Sequence, residues 1–148
     1  MLTKTLIKIF TRDLEKIKEE ISLYKDEKNL WKIDGLVTNS SGTLVLHLLA
    51  NLNHFIGAIL GDSGYVRDRD LEFSLRDIPK SELLSELNKT IRIVENTLNK
   101  ITPNMLQKDY KPQVFKDPMT IGYFLVHLAS HLAYHLGQIN YHRRLLDK

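Results

Sequence analysis

Six histidines are the residues best equipped for chemistry in this chain, and their distribution is uneven. His47 and His54 fall in one stretch, LVLHLLANLNHF. His127, His131, His135 and His142 fall in another, HLASHLAYHLGQINYH. On an α-helix, at about 100° per residue, a spacing of four turns a side chain only roughly 40° around the axis. His127, His131 and His135 therefore share a stripe, and a pair at i, i+4 can put two imidazole nitrogens on one metal ion. His47 and His54, seven apart, share a face too, with Asn51 between them. If that face packs on the other helix, either histidine can add a third nitrogen. Three protein ligands and an open position are the pattern of a catalytic metal site, whereas four closed ligands are usually structural.

The plainer reading is that these histidines are hydrogen-bonded core residues, and a lone HxxxH is weak evidence against it. Their concentration in two apolar segments favours the metal. Leu132, Ala133 and Tyr134 separate His131 from His135, so the glutamate of an HExxH protease is missing. No carboxylate stands beside a histidine in the Glu-x-x-His spacing of di-iron bundles. The chain has no cysteine, which excludes thiolate ligands, disulfides and a cysteine nucleophile.

Four stretches with helical periodicity must position these residues. The first runs from about Leu2 to Tyr24, with Leu6, Phe10, Leu14, Ile17 and Ile21 on its stripe. The second starts in the N-cap cluster Asn39–Ser41 and runs to Leu60, where Gly61 can end it. The third follows Pro79 and carries Leu84, Leu87, Ile91, Val94, Leu98 and Ile101. The fourth is expected to start at Asp117-Pro118, a good N-cap and first-turn pair, and to reach about Leu146. Strand signals are absent, and no strand is expected even in the extended-looking stretch at residues 110–115. The pattern predicts one all-α domain over residues 1–148, a four-helix bundle with long connecting loops at about 25–38 and 102–116.

With 43% hydrophobic residues the chain can fill one core, and disorder is unfavoured. A formal charge of +3, interspersed and without a basic stripe, argues against nucleic acid. No apolar run reaches the ~18 residues of a membrane span, and the N-terminal residues lack signal-peptide character. A cytoplasmic protein is expected.

The segments LHLLANLNHFIGAILG and HLAYHLGQINYHRRLL resemble the DinB/YfiT-like superfamily. That resemblance covers nearly the whole chain. It implies a four-helix bundle holding a divalent metal, often nickel or zinc, through one histidine of the second helix and an HxxxH of the fourth that is followed by Gly-Gln. Here the HxxxH is His131–His135, followed by Leu136, Gly137 and Gln138. The resemblance puts the helix-two ligand at His47, with His54 as the alternative, and leaves His127 as a core or supporting residue and His142 near the bundle end. Several members of the superfamily are thiol-dependent S-transferases or isomerases using bacillithiol, mycothiol or glutathione, and members often pair as homodimers.

The expectation is therefore a divalent-metal enzyme acting on a small molecule. It is transferase-like with a low-molecular-weight thiol as cosubstrate, or hydrolase-like with water. The competing class is a non-catalytic metal-binding or structural helical bundle. Gln138, three residues after His135, is placed to bond a ligand histidine or the substrate, or to cap a buried polar group. Arg67 and Arg69 alternate with Asp68 and Asp70, as local ion pairs or as a clamp for a substrate carboxylate. Trp31 is expected to anchor the first long loop, and Tyr134 and Tyr141 to serve packing or an interface.

Overall fold

The computed structural model describes residues 2–148. It is all-helical, and no strand occurs among the described residues. The long helices are α1 (Leu2–Ser22), α2 (Ser41–Leu52), α4 (Lys80–Leu98) and α6 (Ile121–Leu146); α3 (Arg69–Ser74) and α5 (Pro103–Leu106) are short. The apolar stripe of α1 is buried as its spacing predicts, with Phe10, Leu14, Ile17 and Ile21 fully inaccessible. This face packs on α4 and α6, and α2 packs on the same two helices. One contiguous core takes residues from all four. Because α2 and α6 are direct neighbours, their histidines can meet across the interface.

Ser40 caps α2, its hydroxyl accepting from the Thr43 amide. Nearly every residue of α2 is buried, consistent with its near-continuous apolar sequence. Gly42 is required there: a Cβ would lie 2.7 Å from the Trp31 ring, which packs directly on the helix. Trp31 ends the 3₁₀ segment Glu27–Trp31, so the first long connection is anchored as its tryptophan suggests. After Leu52 the helix widens into a π segment, Asn53–Ala58, with the Ile59 amide donating to the His54 carbonyl at 3.0 Å. Asn53 ties that wide turn to α4 by donating to Thr90 Oγ1 at 3.0 Å.

The start of α6 differs from expectation. Thr120, not Asp117, is the N-cap, its hydroxyl accepting from the Tyr123 amide. The Tyr110 amide donates to the Met119 carbonyl and the Ile121 amide to the Lys108 carbonyl, both at 2.8 Å, in an isolated bridge between Asp109 and Thr120. That pairing holds the chain extended as far as Thr120, so the helix cannot begin at Pro118. Thr120→Ala is expected to cost about 1 kcal/mol in chemical denaturation. Asp117→Ala, at an exposed position, should change it by less than ~0.5 kcal/mol.

Candidate metal centre

His47 sits midway along α2, and His131 and His135 lie one turn apart on α6. Their rings converge. His131 Nε2 is 3.1 Å from His47 Nε2 and 3.1 Å from His135 Nε2. One ligand atom from each of the three lies within 4.8 Å of the others. Ring centroids are 4.5 Å apart for His131 and His135 and 5.0 Å for His47 and His131, with the ring planes steeply inclined to one another.

The far nitrogens decide what the near ones present. Glu72 Oε2 lies 3.1 Å from His47 Nδ1. Burial pushes the Glu72 carboxyl up, but hydrogen bonds from Arg67 and His47 outweigh it and hold the group below its ordinary value. As a carboxylate it only accepts, so His47 Nδ1 donates and Nε2 of the neutral ring carries a lone pair. Gln138 Oε1 accepts from His135 Nδ1 at 2.6 Å, with the same consequence for His135 Nε2. Gln138 thus bonds a histidine of the cluster, one of the roles its spacing suggests.

Two lone pairs now point at His131 Nε2, which carries at most one proton. The cluster has more acceptors than donors, and a cation is what such a set lacks. The spacing fits. Nitrogens held at about 2.0–2.1 Å from a zinc ion lie roughly 3.3 Å apart at tetrahedral angles.

Protonation is disfavoured as well. Burial, then the neighbouring His135 and His47, lowers His131 to about 4. Burial likewise lowers His47, against the raising effect of Glu72. Neutral imidazole is the form that binds metal. In metal-free protein this sets a pH dependence of stability. The folded value of His131 lies near 4, below the 6.5 of an ordinary histidine. As pH falls below 6.5 the unfolded chain takes up its proton first. The contribution is therefore complete above about pH 6.5 and is lost progressively toward pH 4. Urea midpoints of chelator-treated wild type and His131→Ala should show the mutant with the shallower acid slope across that window.

The other histidines are engaged elsewhere. His54 is half-buried, its ring 4.8 Å from Phe55, and stands outside the triad. His54 falls in the π segment that follows α2, seven residues beyond His47. His127 is exposed and stacks on Phe124 at 5.9 Å, not in the core or behind a ligand. Four residues before His131 the stripe has already rotated to the surface. His142 is buried with both nitrogens used: Nδ1 lies 2.6 Å from the Tyr24 hydroxyl, and Nε2 donates to the Lys32 carbonyl at 2.8 Å.

Arg67 forms an ion pair, but its partner is Glu72 and neither neighbouring aspartate. Asp68 instead caps α3, accepting from the Leu71 amide. Glu72 went unnoticed in the sequence because it lies 25 residues from His47, with no spacing rule to link them.

Beside the cluster, a groove of about 780 Å³ runs between α6 and the segment before α2. Leu36, Leu44, Tyr134, Tyr141 and Leu145 make its apolar wall, and His135 and Gln138 stand at one side. Both tyrosines are largely exposed, so their faces are open to this space. No helix of the described residues is long and apolar enough to cross a membrane.

Comparison with curated proteins finds no match. A family model does match, over residues 3–148, and it spans all three histidines. The chain therefore belongs to the family described as protein of unknown function, DUF1572.

Proposed function

We propose that this chain is a DinB/YfiT-like four-helix bundle, formed by α1, α2, α4 and α6, that holds one divalent ion, zinc or nickel, on His47, His131 and His135. On this reading it is an enzyme that transfers a small thiol to an electrophilic substrate. The observation that carries the reading is the convergence of three Nε2 atoms at 3.1 Å contacts from two helices. A divalent ion held there would supply Lewis acidity, favouring the anionic form of a thiol at its open side.

The chain's own residues have defined parts. The three imidazoles are neutral ligands, so they leave the ion's charge undiminished. Gln138, bonded to His135 Nδ1, fixes that ring's tautomer and tilt. The apolar groove beside His135 receives the body of a small electrophile and excludes water from it; its volume lies within the range of small-molecule pockets. With no cysteine in the chain, the attacking sulfur belongs to a diffusible cosubstrate such as bacillithiol, mycothiol or glutathione. Such thiols are kept reduced in the cytoplasm, where we place the protein, as a homodimer.

The test starts from protein purified without a histidine tag. Its metal content is determined, and consumption of an electrophile is followed with each thiol. The expected result is one ion per chain and thiol-dependent turnover that stops on chelation and returns with added zinc or nickel. One bound ion with no thiol-dependent turnover would overturn the transferase reading.

A further inference from the structure

The three histidines of the centre differ in what stands behind them. Behind His135 is the neutral amide of Gln138. His131 Nδ1 is buried with no hydrogen-bond partner among the described residues. Behind His47 is Glu72, only 4% exposed and ionised. We propose that Glu72 is a positioning residue for the ligand His47, and that Arg67 clamps its carboxylate so that it supports the ring without becoming a ligand itself. This rests on the three-histidine reading above and adds to it the two residues that set the strength of the centre.

The short helix α3 shows why the glutamate is there. Within it Glu72 is buried while Leu71, Phe73 and, just beyond, Leu75 are exposed by 36% or more. Hydrophobic partition alone would invert that choice, since Glu is among the residues least often buried without a partner. The turn is held in this register by its Asp68 cap and by packing on α2. The Phe73 ring also lies 5.5 Å from His47, so α3 touches that ligand twice.

The carboxylate is fully engaged. Arg67 Nε donates to Oε1, Arg67 Nη2 donates to Oε2 at 3.1 Å, and His47 Nδ1 donates to Oε2 at 3.1 Å. A two-pronged guanidinium grip fixes the plane of a carboxylate as well as its place. Arg67 is itself held, its guanidinium 5.6 Å from the centroid of Phe55. An anionic acceptor on Nδ1 pins the tautomer that offers Nε2, orients the ring and raises its basicity as a ligand. With both oxygens occupied, Glu72 has little freedom to swing toward the ion and close its open side. Apolar residues can replace a buried ion pair without loss of stability, so fold stability alone does not account for this pair beside His47.

The test measures zinc and cobalt affinity of the full chain by competition with a chromophoric chelator. The variants are Glu72→Gln, the double variant Arg67→Gln/Glu72→Gln and His131→Ala. The double variant removes both charges together, so no lone buried charge is left to unfold the protein. Glu72→Gln and the double variant are each expected to bind roughly 10–100-fold more weakly than wild type. The metal-free double variant should melt close to wild type. The cobalt absorption bands of the double variant should shift, which a loss of packing far from the ion would not produce. If the double variant binds as tightly as wild type while His131→Ala does not bind, the role of Glu72 is overturned and the triad stands. If His131→Ala binds like wild type, the triad itself fails, and this proposal with it.

Discussion

His131→Ala is expected to remove the bound ion, taking metal content from about one per chain to near zero after dialysis. His131 is central to the cluster, with its Nε2 3.1 Å from the Nε2 of both other histidines. Structural zinc sites are worth roughly 10–16 kcal/mol in all, so one ligand of several accounts for about 3–4 kcal/mol. At 1.4 kcal/mol per tenfold, that is a loss of roughly a hundred- to thousandfold in affinity. His47→Ala and His135→Ala should do the same. His54→Ala and His127→Ala are the controls and should retain the ion, because their rings pack on Phe55 and Phe124 away from the cluster. Metal analysis of untagged protein, with a chelator titration for the constants, decides it. A His131→Ala protein that keeps a full equivalent of metal would remove the basis of the functional account. The metal-free form of this variant should melt near wild type. The ring is neutral and its Nδ1 unpartnered, so little folding energy leaves with it.

Phe10→Ala is expected to cause the largest loss of stability, about 3–5 kcal/mol. Phe10 is fully inaccessible in the middle of α1, on the face that packs against α4 and α6. Its removal leaves a cavity that helices pinned by many other contacts cannot close, so the lost transfer energy and the cavity cost add. For a domain of this size the melting temperature should fall by roughly 10 °C. Lys16→Ala on the exposed side of the same helix should shift stability by less than ~0.5 kcal/mol. Denaturant titration gives both values. A loss under 1 kcal/mol at Phe10 would mean that α1 does not share the core. Since α1 backs α6, which carries two of the three histidines, the Phe10 variant should also bind metal less well near its melting temperature.

Periodicity made the long helices legible, and for a physical reason. Each buries one stripe, and burial imposes a 3.6-residue repeat that survives in the order of residues. The starts of α1 and α4 and the buried positions of α1 follow from that repeat, whereas α1 ends at Ser22, short of Tyr24, and α4 ends at Leu98, before Ile101. The i, i+4 relation of His131 and His135 is local in the same sense, since a single helix turn is enough to bring them together. So is the reach of Gln138 to His135.

What the chain order could not settle depends on contacts between distant segments. The start of α6 was misread because a backbone bridge from Asp109 to Thr120 overrides the local preference of Asp117-Pro118. The choice between His47 and His54 turns on which ring meets His131 across the α2–α6 interface, and the one that does, His47, lies 84 residues away along the chain. Glu72 and Arg67 reach His47 only because α3 folds back onto α2. By itself, then, the sequence determined an all-helical chain carrying an HxxxH stripe, because those properties are written within single turns. Which nitrogens meet, which tautomers they hold and what charge stands behind them were decided by tertiary packing, because those depend on distances between residues the chain keeps far apart.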